Sequence, residues 1–132
     1  MYDYLAKAHE NLAGAESELQ HGRTNSCARS AYYACFHAAI TALLHAGLTA
    51  PEPTRGWGHD WFHASFVGHL IQRRKLYAAS PRWSSPDLLA LRHKGDYRAT
   101  HVSQREAQQA VRSAQTLVQA VTAHLQGEEG AT

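Results

Sequence analysis

The sequence has little cysteine, no long apolar run and no glycine-rich phosphate loop, and each of these features excludes a class of structure or binding site. Its two cysteines, Cys27 and Cys35, are eight positions apart in an apparently helical stretch. Their backbones therefore lie about 12 Å apart, which an internal disulfide cannot bridge. No apolar stretch reaches the roughly 18–20 residues of a membrane span, and the first residues carry acids where a signal peptide needs a positive region. We expect a cytoplasmic protein with no membrane contact.

Length and composition are those of one folded domain. A chain of 132 residues with 44% apolar and 18% charged side chains fits a single globular unit. We assign residues 1–126 to this domain and residues 127–132 to a flexible polar tail.

Positive charge is concentrated in one part of the sequence. Residues 73–112 hold nine basic and three acidic side chains, a net charge of +6, whereas the rest of the chain carries −4. This division favours a polyanion or an acidic partner near the second half, because attraction to phosphates is independent of base sequence. The alternative is a solvated surface that happens to be basic.

Apolar residues recur at helical spacing in five segments, and no segment has the alternation of a strand. The predicted helices run from Tyr2 to about His21, from Thr24 or Asn25 to Ala46, from about His59 to Tyr77, from Pro86 to near Gly95, and from Ser103 to about residue 126. Gly22 and Gly47 are predicted to end the first two helices. The second helix is apolar nearly all round and should be central. We predict an all-α, up-and-down helical bundle.

The last predicted helix has the clearest start signal in the sequence. The side chains of Ser103 and Glu106 can each accept a hydrogen bond from the other residue's free backbone N–H. Its predicted inner face consists of Ala107, Ala110, Val111, Ala114, Leu117, Val118, Val121 and Leu125.

Three motifs in this order resemble one known family. Residues 26–39, SCARSAYYACFHAA, resemble the second-helix signature of small prokaryotic HEPN-domain proteins. His59 with the following Phe62 and Phe66, and then the LRHKGDY segment at 91–97, resemble two further elements of that family. The resemblance covers the chain from about residue 5 to 125.

The resemblance implies an all-α bundle that homodimerises and is often encoded beside a small nucleotidyltransferase in toxin–antitoxin or defence systems. Active members of the family are metal-independent ribonucleases whose motif is an arginine and, after four to six intervening residues, a histidine. Here Arg92, followed by the polar His93, matches the arginine half. The motif would place its histidine at one of positions 97–99, which hold tyrosine, arginine and alanine here. The next histidine beyond them, His101, follows Arg92 after eight intervening residues. The motif is therefore degenerate.

The resemblance, together with the chemistry of RNA cleavage, selects the candidate site. Metal-free cleavage needs a base, an acid and a cation, and histidine titrates near neutral pH, so Arg92, His93 and His101 are candidate catalytic residues. Asp96 is a supporting residue. An alternative for Arg92 is a structural ion pair with Asp96, four positions on. The candidate residues for binding RNA phosphates are Arg92, Lys94 and Arg98.

Tyr97 has two interpretations. In family members paired with a nucleotidyltransferase, a tyrosine just past the histidine receives AMP groups from the partner, and Tyr97 lies two residues earlier than that pattern. The resemblance makes Tyr97 a modification candidate. The alternative is a tyrosine packed at a helix end with its hydroxyl bonded locally.

The ten histidines of the chain raise the question of a metal site. His59 and His63, with Asp60 between them, have the spacing of a zinc-binding helix, but the sequence places no third ligand. Scattered surface histidines and helix capping explain the pattern more simply. We predict no metal and no cofactor.

Two functions from different classes follow. The first is an RNA-binding homodimer, with or without endoribonuclease activity, whose cleft gathers the candidate residues. The second is a non-catalytic helical module that docks a nucleotidyltransferase or another defence component through the basic segment 73–112.

Overall fold

The computed structural model describes residues 2–48 and 86–131, and these form four α-helices. The helices are α1 (Tyr2–Gln20), α2 (Thr24–His45), α3 (Pro86–Tyr97) and α4 (Gln104–Ala131). No strand occurs in either described range, and the predicted all-α fold is confirmed. The helix predicted at about 59–77, with His59 and His63, lies outside the described residues.

α2 is the central helix, as its sequence predicts. It packs against α1, α3 and α4, and it buries 13 of its 22 residues. α1 also packs against α4, so these three helices enclose one apolar core. Because three helices pack around α2, its apolar residues need not form a single stripe.

The first two helices end at the predicted glycines. Gly22 has a φ of 73° and Gly47 a φ of 86°, in the left-handed region that glycine enters at little cost. The Gly22 N–H donates to the Leu19 carbonyl at 3.2 Å, and the Gly47 N–H donates to the Leu44 carbonyl at 3.0 Å. These bonds satisfy carbonyls that the helix itself leaves unpaired.

α4 begins with the predicted reciprocal cap. The Ser103 N–H donates to Glu106 Oε1 at 3.0 Å, and the Glu106 N–H donates to Ser103 Oγ at 3.0 Å. Every residue of the predicted inner face is buried. The backbone is helical through Ala131, so the segment that we assign to a tail from Gly127 starts inside this helix. The flexibility of that segment stays a prediction.

α3 ends two residues later than predicted, at Tyr97 instead of near Gly95. A Cβ at Gly95 would lie 3.2 Å from the Cα of Asn25. This glycine therefore allows α3 to pack closely against the start of α2, and it does not end the helix. The Arg98 N–H donates to the Lys94 carbonyl at 3.3 Å and closes the last turn.

Both cysteines are free and buried, in agreement with the predicted absence of an internal disulfide. Burial raises the pKa of the Cys35 thiol to about 12. Burial, with a smaller contribution from the Glu18 carboxylate, raises the pKa of Cys27 to about 11. Thiols held in this protonated form are poor nucleophiles and packing is their role here. Within the described ranges, no helix has the length and apolar composition needed to cross a bilayer.

Candidate functional site

The predicted site residues lie along α3 and in the segment 98–103 that connects it to α4. α2 adds two residues that sequence analysis missed, Asn25 and Arg29, which contact this region from its first two turns. We call this region the α3 edge: α3, residues 98–103, and the first turns of α2 and α4.

Arg92 lies against the interior of the bundle. Its guanidinium carbon is 5.4 Å from the ring centroid of Tyr32 and 5.1 Å from that of Tyr33, distances typical of cation–π contact. Arg92 Nε is 3.5 Å from Asp96 Oδ2, and only 13% of the Arg92 side chain is exposed. The ion pair that we considered as the alternative role of Arg92 therefore forms within this one chain.

Asp96 is shared between two arginines. Besides Arg92, its Oδ2 atom lies 4.0 Å from Nε of Arg29 on α2. The Asp96 side chain is 16% exposed, whereas that of Arg29 is 62% exposed. Asp96 thus links α3 to α2, and Arg29 presents a guanidinium to solvent beside the more enclosed Arg92. The supporting role predicted for Asp96 has a physical basis in these two contacts.

An open groove of about 690 Å³ runs between α3 and the beginning of α4. Three of the predicted site residues line it, namely His93, Lys94 and Arg98. The other lining residues are Ala90, Leu91, Thr100, Glu106 and Gln109. Arg92, Asp96, Tyr97 and His101 are not among the lining residues.

The two basic side chains in the groove, Lys94 and Arg98, differ in whether a carboxylate pairs with them. Lys94 Nζ donates to Glu106 Oε1 at 2.9 Å, which ties α3 to α4. The pKa of Glu106 is lowered, first by the hydrogen bond from the Ser103 N–H and then by the bond from Lys94. Arg98 is exposed and has no carboxylate partner among the described residues. Its charge is therefore available to an anion in the groove.

Tyr97 and His93 are stacked edge to face, with ring centroids 5.8 Å apart. Tyr97 is 74% exposed, so it is not packed at the helix end, and that alternative is wrong. An exposed aromatic ring beside cations provides a stacking surface.

His101 is held by Asn25. Asn25 Nδ2 is 2.9 Å from His101 Nδ1, and Asn25 Oδ1 accepts a hydrogen bond from the Val102 N–H at 2.8 Å. Val102 is buried, whereas His101 is exposed. One side chain from the start of α2 thus fixes the backbone and the imidazole of two successive residues in the segment after α3.

No cluster of three or more histidine, cysteine or acidic side chains suited to a metal ion occurs in the part of the chain that the structure describes. The side chains that line the groove or border it include arginine, lysine and histidine. Such groups bind phosphate oxygens by charge and hydrogen bonding.

Asn25 and Arg29 were missed because their contacts are long-range. Asn25 lies 76 positions before His101. A polar residue at a helix start is ordinarily read as a cap, and an exposed arginine as surface charge. The one available signal was their position, since Asn25 directly precedes the family-like run at 26–39 and Arg29 lies within it.

A sequence model of the HEPN domain matches residues 1–125 of the chain. No curated protein matches the sequence.

Proposed function

This chain belongs to the HEPN-domain family, and from that premise we propose that it binds RNA through the groove between α3 and α4. The observation that carries the proposal is the groove itself, where His93, Lys94 and Arg98 line one open surface. Single-stranded RNA presents phosphates at regular intervals, and a groove lined by cations follows such a backbone without reading its sequence.

The cations in and beside the groove have different roles in the proposed binding. Arg98 meets a phosphate directly, because no described carboxylate competes for it. Lys94 is held by Glu106 and positions the wall of the groove. Arg29 and the exposed Tyr97 extend the same edge with a second guanidinium and a ring for base stacking.

Arg92 has a different place in the proposal. Its contacts with Asp96 and the two tyrosines occupy it inside this chain. For RNA cleavage, its guanidinium has to exchange Asp96 for a phosphate. Its Nε atom is buried without a hydrogen-bond partner among the described residues, which favours such an exchange. Cleavage, with Arg92, His93 and His101 as catalytic residues, is therefore a separate outcome of the test.

The test is RNA binding by fluorescence anisotropy in EDTA, with Arg98→Ala compared with Arg112→Ala. Arg112 is an exposed base on α4 outside the groove and serves as the matched control. We expect Arg98→Ala to weaken binding and to reduce the slope of log affinity against log salt by about 1, as for the loss of one phosphate contact. Arg112→Ala should leave the affinity close to that of the wild type.

Absence of RNA binding at low salt, or equal effects of the two substitutions, would overturn the proposal. The same samples report cleavage on a gel. Cleavage that disappears in Arg92→Ala assigns the endoribonuclease activity to this site, and intact RNA in the wild type leaves a binding protein.

The exposure of Tyr97 favours a second candidate, a helical partner of a nucleotidyltransferase in a toxin–antitoxin or defence system. In it, the protein is a cytoplasmic homodimer, and Tyr97 is the residue that the partner modifies. Co-expression with the product of the adjacent reading frame, followed by mass spectrometry, tests this function. An AMP adduct on the wild type that is absent from Tyr97→Phe supports this function. Failure of the two proteins to co-purify, with Tyr97 unmodified, contradicts it.

A further inference from the structure

The contacts of Asn25 fix which way its amide points. The Val102 backbone N–H can only donate, and it lies 2.8 Å from Asn25 Oδ1. The carbonyl oxygen of the amide must therefore face Val102. The amide nitrogen is left on the other side, where it lies 2.9 Å from His101 Nδ1.

This orientation decides the position of the proton on His101. An amide NH₂ group is a donor and has no acceptor capacity, so Nδ1 has to supply a lone pair. A neutral imidazole carries one N–H, which then belongs to Nε2. His101 is exposed, and no described residue hydrogen-bonds to its Nε2 atom.

We propose that Asn25 is a positioning residue that keeps the exposed His101 ring as an Nε2–H donor. His101 directly follows Thr100, which lines the groove, so the ring donates to a phosphate of RNA that continues past Thr100. This inference rests on the proposed RNA binding. A ring of this tautomer donates to a phosphate but has no lone pair at Nε2 to take the proton of a 2′-hydroxyl. His101 is then a phosphate ligand, and the role of general base falls to His93 in any cleavage reaction.

The frame around Asn25 is built to hold this geometry. A Cβ at Gly95 would lie 3.2 Å from the Cα, the Cβ and the backbone carbonyl oxygen of Asn25, so α3 packs directly on the backbone of Asn25. Val102, whose backbone N–H donates to Asn25 Oδ1, is 2% exposed. A rotated amide would set its NH₂ group against the Val102 N–H, two donors facing each other, and would lose that hydrogen bond.

The direct test is the tautomer of His101, measured by long-range ¹H–¹⁵N correlation spectra of the full chain in the neutral pH range. We expect the wild type to carry the proton on Nε2. In Asn25→Asp, one carboxylate oxygen still accepts from Val102, while the other accepts where the amide donated. At a pH where the ring is neutral, that variant should therefore carry the proton of His101 on Nδ1.

A wild-type ring with its proton on Nδ1, or an unchanged tautomer in Asn25→Asp, would overturn the proposal. The wild-type spectrum decides the matter by itself if the variant fails to fold. Because this measurement contains no RNA, it also succeeds or fails independently of the proposed function.

The link to RNA is tested by a double-mutant cycle. We expect Asn25→Asp to weaken RNA binding about tenfold, the loss expected for one hydrogen bond to a charged group. In a His101→Ala background the same substitution should have little further effect, because Asn25 acts through His101. A full tenfold loss in that background would show that the substitution weakens binding through the negative charge of the new aspartate and not through His101, and it would contradict the positioning role.

Discussion

The three-helix core of α1, α2 and α4 and the α3 edge are held together by different means. The core residues Ile40, Leu43, Leu117 and Val118 are all 2% exposed or less, and packing of apolar volume joins the three helices. The α3 edge contributes Leu88 and Val102 to the apolar core, and it adds polar contacts at Asn25, at Asp96 and between Lys94 and Glu106. The three-helix core is thus stabilised mainly by close packing, whereas the α3 edge combines packing with hydrogen bonds and ion pairs that a ligand can replace.

The largest effect is expected from a cavity in the core. Leu117→Ala should lower the free energy of unfolding by about 2–5 kcal/mol, because the transfer free energy of the side chain is lost and a cavity remains. Leu117 is 2% exposed. Urea denaturation followed by circular dichroism measures the change, and both regions should unfold together.

Thr116→Ala is the matched control, since this neighbouring side chain is exposed and should change stability by no more than about 0.5 kcal/mol. Equal stability of Leu117→Ala and Thr116→Ala would show that the core is not closely packed at this position.

A smaller and more local effect is expected at the α3 edge. Asp96→Asn removes the charge that faces Arg92 and Arg29, and leaves a largely enclosed guanidinium with ring faces as its main contacts. We expect a loss of about 1–3 kcal/mol. Hydrogen exchange should locate it in α3, with the amides of α2 and α4 protected as in the wild type.

Two results would break this contrast between the regions. Uniform loss of protection across all four helices would mean that α3 is an integral part of the core. No loss at all would mean that Asp96 does not hold Arg92, and that the two tyrosines suffice.

The smallest effect concerns pH and the α1–α2 side of the core. The pKa of His37 is lowered from its ordinary value of 6.5, first by burial and then by the Lys7 charge. The unfolded chain therefore binds a proton at this residue before the folded chain does. Stability should be highest above about pH 6.5 and should fall as the pH drops below it.

Unfolding curves at several pH values, for the wild type and for His37→Gln, measure this contribution. The wild type should lose more stability than the variant between neutral and mildly acidic pH. Parallel losses in the two proteins would exclude His37 as the cause.

Much of the fold was predictable because local chemistry and packing agree. The three-four spacing of α4 continues through Leu125, and every predicted inner-face residue is buried. The Ser103–Glu106 cap depends on residues three positions apart, so no tertiary information was needed. The end of α3 was misplaced, because Gly95 serves contact with Asn25, a residue distant in the sequence.

The sequence supplied candidate residues for the site, but it predicted neither their arrangement nor the contacts of Asn25 and Arg29. Arg92, His93, Lys94, Asp96, Tyr97, Arg98 and His101 were selected from one short stretch of sequence. The structure separates them into an enclosed pair, three residues that line a groove, an exposed tyrosine ring and a histidine held by Asn25. Which side of a short helix faces the core depends on the surface it packs against, and Tyr32 and Tyr33 supply that surface for Arg92.

The sequence by itself determined where the described helices form, that α2 is central, which face of α4 is buried, and that positive charge gathers in the second half, because these properties depend on residues close together in the chain. Only the tertiary structure decided that Arg92 lies against Tyr32 and Tyr33, that Arg98 is unpaired among the described residues, and that Asn25 holds His101. These outcomes depend on which helices meet, and the approach of α3 to the start of α2 joins residues more than 60 positions apart.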